Sequence, residues 1–359
     1  MDFSNIRDSK KRLIYTTMWG HNSMITEEKI ENTMYHGEKS LNSYSFKTDK
    51  KKCEGLESLF EIPQHRQNIF EEKYNQVCGG SGHEERRITT LHSSSLCALL
   101  FFYSVSESNP IYLKMDGVGE AKFTKSIFEY QNKVIESGGP SNVDVTLLGE
   151  YIENKDKKII LFLESKFAEY ILDVSRSLEI KKKYLKTDMY SEAIYHDKFW
   201  STNGISIEED SSKEDFSLKS KKTMYLTGLK QMVSHYVGVR RFADGVNEKI
   251  VNSSNFYDTK LSSKQLIQKE VREFAMHGEV DLYLGAIAFD VFGGKDITLD
   301  EYRSIYNKLM YFMGSKLSNQ FGKAYVKMIP QLLTYQDVFT DKRYRLDKKV
   351  IEFYFGNGK

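Results

Sequence analysis

Cysteine, proline and long apolar runs are all scarce in this chain. Its 359 residues include three cysteines, Cys53, Cys78 and Cys97. They are widely spaced and form no CxxC pair, which argues against a disulfide framework or a zinc site and leaves reduced thiols as the expectation. The longest apolar run, Leu96 to Tyr103, falls far short of the roughly 20 residues that cross a bilayer. The N-terminal MDFSNIRDSKKRL shows no apolar signal-peptide stretch, so a cytoplasmic, membrane-free protein is expected. A strong charge excess is missing too, since the formal net charge is only +2. Affinity for nucleic acid must then come from a local basic surface. Lysines cluster at 50–52, at 181–183, and at Lys219, Lys221 and Lys222, although such runs are usually solvated faces. No GxxxxGK[ST], HExxH or GxSxG pattern occurs, which removes the motif evidence for a P-loop, a zincin or an α/β-hydrolase.

With only four prolines, 40% hydrophobic and 28% charged residues, the chain is globular in composition and long enough for one large core or two modest ones. Residues 1–60 are polar and weakly periodic, with isolated aromatics at Trp19, Tyr35 and Phe46, and are expected to form an extension or lid packed on the body. A helix is expected at 64–78, stopped by Gly79-Gly80-Ser81-Gly82, and a second, buried one from about Arg86 to Tyr103. Strands are expected at 123–134, 143–152 and 158–167, with a turn at Ser137-Gly138-Gly139-Pro140 and a hairpin loop at 153–157. Residues 201–222 lack apolar periodicity and suggest an exposed loop. A helix at about 223–240, a strand at 283–291 stopped by Gly293-Gly294, and a helix at 298–317 with Thr298 and Glu301 as a capping box complete the pattern. Helices around a strand cluster indicate an α/β fold with a central mixed sheet.

The informative stretch is Pro140 to Phe167. Side chains alternate faces along a strand, so Ile160, Phe162, Glu164 and Lys166 share one face, as do Asn142, Asp144, Thr146 and Leu148. Pairing around the 153–157 loop sets Asp144 and Glu164 toward the same end of the two strands. Two carboxylates beside one lysine suit a hard divalent cation, whose remaining positions are filled by water and substrate phosphate. The lysine can orient or deprotonate the attacking water, or steady phosphate charge. The triplet alone is weak, since eleven acid-x-Lys triplets occur, Glu71-Glu72-Lys73 and Glu179-Ile180-Lys181 among them. Only Glu164-Ser165-Lys166 follows an apolar run, Ile159 to Leu163, with an acid on the preceding strand. The competing interpretation is a cross-strand salt bridge, worth roughly 0–1 kcal/mol if exposed.

This segment resembles the core of the PD-(D/E)xK, restriction-endonuclease-like nuclease superfamily, with Val143 where the name-giving proline would stand. His92-Ser93-Ser94-Ser95-Leu96, Pro140-Ser141-Asn142-Val143-Asp144 and Leu333-Thr334-Tyr335-Gln336-Asp337 are similar to stretches in uncharacterised bacterial members. The resemblance covers about 84–340 of a nuclease-like domain at 61–359. It implies a Mg²⁺-dependent deoxyribonuclease, with Mn²⁺ as substitute, acting through Asp144, Glu164 and Lys166 and leaving 5′-phosphate and 3′-hydroxyl ends. It further implies a helper glutamine, for which Gln231 is placed, and an upstream acidic ligand, open among Glu84, Glu85 and Glu129. His235, four residues after Gln231, faces the same way. The partner implied is DNA; monomer and dimer both stay open. The alternative is a catalytically inactive module of this fold that binds nucleic acid or a protein.

Overall fold

Asp8 opens the first helix, α1 (Ser9–Trp19), by accepting hydrogen bonds from the N–H groups of Lys10 and Lys11. The computed structural model describes residues 2–35, 38–48, 51–79, 83–115, 119–134, 139–185, 197–210, 215–247, 263–276, 278–294, 297–314 and 326–356. Lys50, Gly80 to Gly82, Ser137-Gly138, residues 211–214 and residues 315–317 lie outside them, as does the Tyr35 side chain. A hairpin of β1 (Ile30–Tyr35) and β2 (Glu38–Phe46) follows, then α2 (Lys52–Leu59) and α3 (Gln64–Cys78). The N-terminal segment is built into the core. Trp19 stacks on Phe167 and Phe353 and donates its indole N–H to the Phe353 carbonyl, while Phe46 packs on Phe60 and Phe353.

The helix expected from Arg86 to Tyr103 is in fact two, α4 (His83–Arg87) and α5 (Ser94–Phe102). Ser93 causes the break, because its hydroxyl accepts the Leu96 N–H and so caps a new helix. Four strands come next: β3 (Ile111–Met115), β4 (Gly119–Asn132), β5 (Ser141–Tyr151) and β6 (Lys157–Lys166). β5 and β6 form the expected antiparallel hairpin, with Thr146 opposite Phe162.

After α6 (Glu169–Leu172), β7 (Ser175–Ile180), α7 (Lys182–Leu185) and α8 (Asp197–Thr202) come β8 (Ile205–Asp210) and β9 (Asp215–Met224). Residues 201–222 are therefore not the expected loop. β8 and β9 pair with β7 in a small antiparallel sheet of order β7-β9-β8. Its inner face is sparse, with Ile205 and Leu218 buried, while Lys219 and Glu208 stand on the exposed face, so polarity masks the period of two.

The amphipathic α9 (Leu226–Asn247) buries Leu229, Met232, Val233, Tyr236 and Val237. Gly238 lets it press against β4, since a Cβ there would lie 2.6 Å from that of Asn132. Next are α10 (Ser263–Met276), β10 (Glu279–Ala288), α11 (Ile297–Phe312), β11 (Val326–Met328), β12 (Leu333–Thr334), α12 (Tyr335–Phe339) and α13 (Lys348–Phe355). Thr298 lies inside the first turn of α11 because the helix starts at Ile297, so the expected capping box does not form. Glu301 faces Lys222 instead, at 3.6 Å.

The main sheet runs β11-β10-β6-β5-β4-β3, with β12 also on β10. β10 is parallel to β6 and β11, whereas β3 to β6 are antiparallel, so the sheet is mixed. Adjacent residues of β6 reach opposite layers: Ser165 bonds to the Ser94 carbonyl in α5, and Glu164 meets His235 in α9. The fold is α/β, a mixed sheet flanked by helices. Among the described residues no helix is long and apolar enough to cross a membrane.

Candidate active site

Strand register gathers the acids. The Val145–Leu163 pairing, continued by one position, sets Asp144 opposite Glu164. The Phe128–Val145 and Tyr130–Val143 pairs bracket Glu129 opposite Asp144. Side chains directly opposite have Cβ atoms about 4.5–5.5 Å apart. Three carboxylates from three neighbouring strands thus meet at one end of the sheet, and all line a cleft of about 310 Å³.

Glu129 has a φ of 52°, a left-handed conformation rare outside glycine. Such strain persists only where surrounding contacts hold it. One contact is Asn142, whose side-chain amide donates to Glu129 Oε2 at 3.1 Å. Burial, then the charge of Glu84, pushes the Glu129 carboxyl up to about 7.

Glu164 is 2% exposed, with one oxygen 2.6 Å from Lys166 Nζ and the other 2.7 Å from His235 Nε2. Burial alone raises its pKa, but Lys166 and His235 hold it down at about 2. Burial works against the Lys166 charge, yet Glu164 outweighs it and raises the ammonium well above its ordinary value. The ion pair with Glu164 thus favours the charged form of Lys166, which is not among the residues lining the cleft. Asp144 accepts the Ser165 N–H at 2.7 Å. Burial first, and Glu164 second, drive its pKa well above the usual carboxylate range.

Of the upstream acids, Glu84 and Glu129 line the cleft and Glu85 does not. The next residue on a helix points about 100° away, and Glu85 is exposed. Ser95 holds Glu84 through its hydroxyl. Gln231 lines the cleft as expected, and its carbonyl oxygen is buried without a hydrogen-bond partner among the described residues.

Ser141 carries no signal of its own beyond the 140–144 stretch, and the spacing of His235 from Gln231 gives only its direction. His235 Nδ1 lies 2.6 Å from Ser141 Oγ. Ionised Glu164 only accepts, so Nε2 carries the proton, and in the neutral ring Nδ1 accepts the serine hydroxyl. Ser141, His235, Glu164 and Lys166 form one continuous hydrogen-bonded chain.

On the other face, Ser165 bonds to the Tyr335 hydroxyl at 2.7 Å. Thr334 caps α12 by accepting the Asp337 N–H, and Gln336 exchanges two hydrogen bonds with the Asp290 backbone. The stretches at 92–96, 140–144 and 333–337 thus converge on one strand end.

Among the described residues, no group of three or more His, Cys, Asp or Glu side chains stands ready to hold an ion, and both Glu164 oxygens are engaged. Asp144 and Glu129 each keep one oxygen without a hydrogen-bond partner among the described residues. The donors are hard oxygens, and Mg²⁺ commonly takes one or two carboxylates and completes its shell with water and phosphate, so the donor chemistry fits. Comparison with protein-family models, curated proteins and solved structures finds no match to this chain.

Proposed function

We propose that the protein is a metal-dependent nuclease with a restriction-endonuclease-like core that hydrolyses DNA phosphodiester bonds. The observation that carries this reading is the Glu129–Asp144–Glu164 row across three strands, all three lining one cleft, with the Lys166 ammonium paired to Glu164. Asp144 and Glu129 would hold Mg²⁺ or Mn²⁺, with Glu164 as the adjoining carboxylate. Such an ion supplies Lewis acidity toward water and the phosphoryl oxygens.

The chain's own groups do the rest. Lys166, paired with Glu164 just behind the cleft lining, would add positive potential to the site as negative charge develops on the phosphate. The unpartnered, buried carbonyl of Gln231 at the cleft wall would accept a hydrogen bond from the attacking water after a small side-chain shift, and so orient it. His235 positions Glu164, and the Ser165–Tyr335 bond steadies the strand behind it. The test is Mg²⁺- or Mn²⁺-dependent cleavage of plasmid and single-stranded DNA by wild type and Asp144→Ala. Cleavage that survives the substitution removes Asp144 from the mechanism.

One observation favours a second reading, a non-catalytic nucleic-acid-binding module: Lys166 and His235 already occupy both Glu164 oxygens. DNA binding without metal-dependent cleavage of any substrate would support it.

A further inference from the structure

A second cavity, of about 690 Å³, shares no lining residue with the first cleft. Its size falls in the range of small-molecule sites, roughly 300–1,000 Å³. Residues of α6, β9 and α11 wall it, and Lys10 of α1 reaches it from the N-terminal segment. Nothing in the hydrolytic chemistry uses it.

Three tyrosines form its deep side. Tyr170, Tyr225 and Tyr302 line it and are 2%, 5% and 4% exposed. Tyr302 lies between the other two, its ring stacked on Tyr170 and edge-on to Tyr225. Tyr170 donates its hydroxyl to the Phe289 carbonyl. The Tyr302 hydroxyl is buried without a partner among the described residues, and that of Tyr225 makes no hydrogen bond to them either. Such burial is unfavourable, and a polar ligand atom beside Tyr225 supplies the missing partner.

The uncompensated charge is positive. Lys10, Lys222 and Lys308 line the cavity, with Asp300 and Glu301 as the acids among the described residues. Asp300 is held by Arg303 at 2.7 Å, and Glu301 faces Lys222 at 3.6 Å. Lys10 and Lys308 have no carboxylate partner among the described residues; they donate to the Ile171 carbonyl at 3.0 Å and to Asn203 Oδ1 at 3.4 Å. Two such ammonium groups suit a phosphate dianion, which takes lysine as a point charge. Val174, Met224 and Ile305, also in the lining, are half-buried and leave apolar surface. A bare sugar phosphate would leave that surface uncovered, whereas the flat face of a base covers it.

We infer that this second cavity binds a nucleoside monophosphate, its phosphate charge met by Lys10 and Lys308, its base against Val174, Met224 and Ile305, and Tyr225 hydrogen-bonded to it. The site stands apart from the nuclease reading, because the two cavities have no residue in common.

The experiment is calorimetric titration of AMP into the full chain in EDTA, with adenosine and inorganic phosphate as separate titrants. AMP should bind saturably, and each fragment at least about 10-fold more weakly. Lys10→Gln combined with Lys308→Gln should weaken AMP binding at least about 10-fold and flatten its salt dependence. Tyr225→Phe should weaken it by about 5-fold. Urea unfolding of Tyr225→Phe should match wild type, since the lost hydroxyl bonds to no described residue in the free chain. No saturable AMP binding, or a fragment that binds as tightly as AMP, overturns the inference. So does AMP binding that survives at wild-type strength in the double lysine variant or in Tyr225→Phe, because the nucleotide then sits elsewhere.

Discussion

His235 Nε2 lies 2.7 Å from Glu164 Oε2, joining a helix-borne imidazole to a carboxylate buried in the central sheet. His235→Ala leaves Lys166 as the remaining ion-pair partner of Glu164. A loss of about 1.5–3 kcal/mol is expected in urea unfolding, the range for hydrogen bonds to charged groups. Cleavage should fall as well, because Glu164 is no longer held in place. A variant as stable as wild type would show that this bond contributes nothing.

The same ring reaches Ser141, which gives a second prediction. Hydrolysis by water does not need the serine hydroxyl, so Ser141→Ala should keep cleavage within about tenfold of wild type. Abolished activity, together with covalent labelling of Ser141 by a fluorophosphonate, would point to a serine nucleophile instead.

Glu129 gives a pH signature. Its carboxyl rises from 4.5 to about 7 on folding, chiefly through burial and then Glu84. Between those values the folded chain binds the proton more tightly than the unfolded chain, so this group's contribution to stability is lost as pH rises through the window. Without metal, Glu129→Gln should be more stable than wild type near about pH 8, by up to about 3 kcal/mol. The gap should close near about pH 4. Thermal or urea unfolding across this range tests it, and a gap that widens toward acid would contradict the assignment.

Gln231 tests the balance of function against stability. A buried carbonyl without a partner costs roughly 1–3 kcal/mol. Gln231→Leu should therefore match or exceed wild-type stability while cleavage drops by about tenfold or more. Full activity in the leucine variant would leave the amide without a catalytic part.

The site's centre was legible because strand periodicity is a local rule. Asp144, Glu164 and Lys166 share a face by alternation, and the hairpin loop sets which end they share. Ser141 and Glu84 were not legible as partners, since their contacts depend on how α9 and α5 pack over long sequence separations. Glu129 was one of three open candidates; the β4–β5 register and an unusual backbone angle bring it in, and neither can be seen in single-residue preferences. The small sheet at 205–224 escaped notice because its solvent face is so rich in lysine, serine and acids that the few inward apolar residues left little periodic signal. That Trp19 packs on the body is expected from its place in a polar segment, but its partner Phe167, right after the Glu-x-Lys strand, is decided by tertiary packing alone.

The central claim is that Asp144 anchors a hard divalent cation, and calorimetric titration of Mn²⁺ into wild type and Asp144→Asn tests it most directly. The asparagine keeps an acceptor for the Ser165 N–H, so the fold should survive and only the charge is lost. Saturable binding to wild type, weakened at least about 10-fold in the variant, is the expected result. Wild type that takes up no Mn²⁺, or a variant that binds it equally well, would contradict the metal centre.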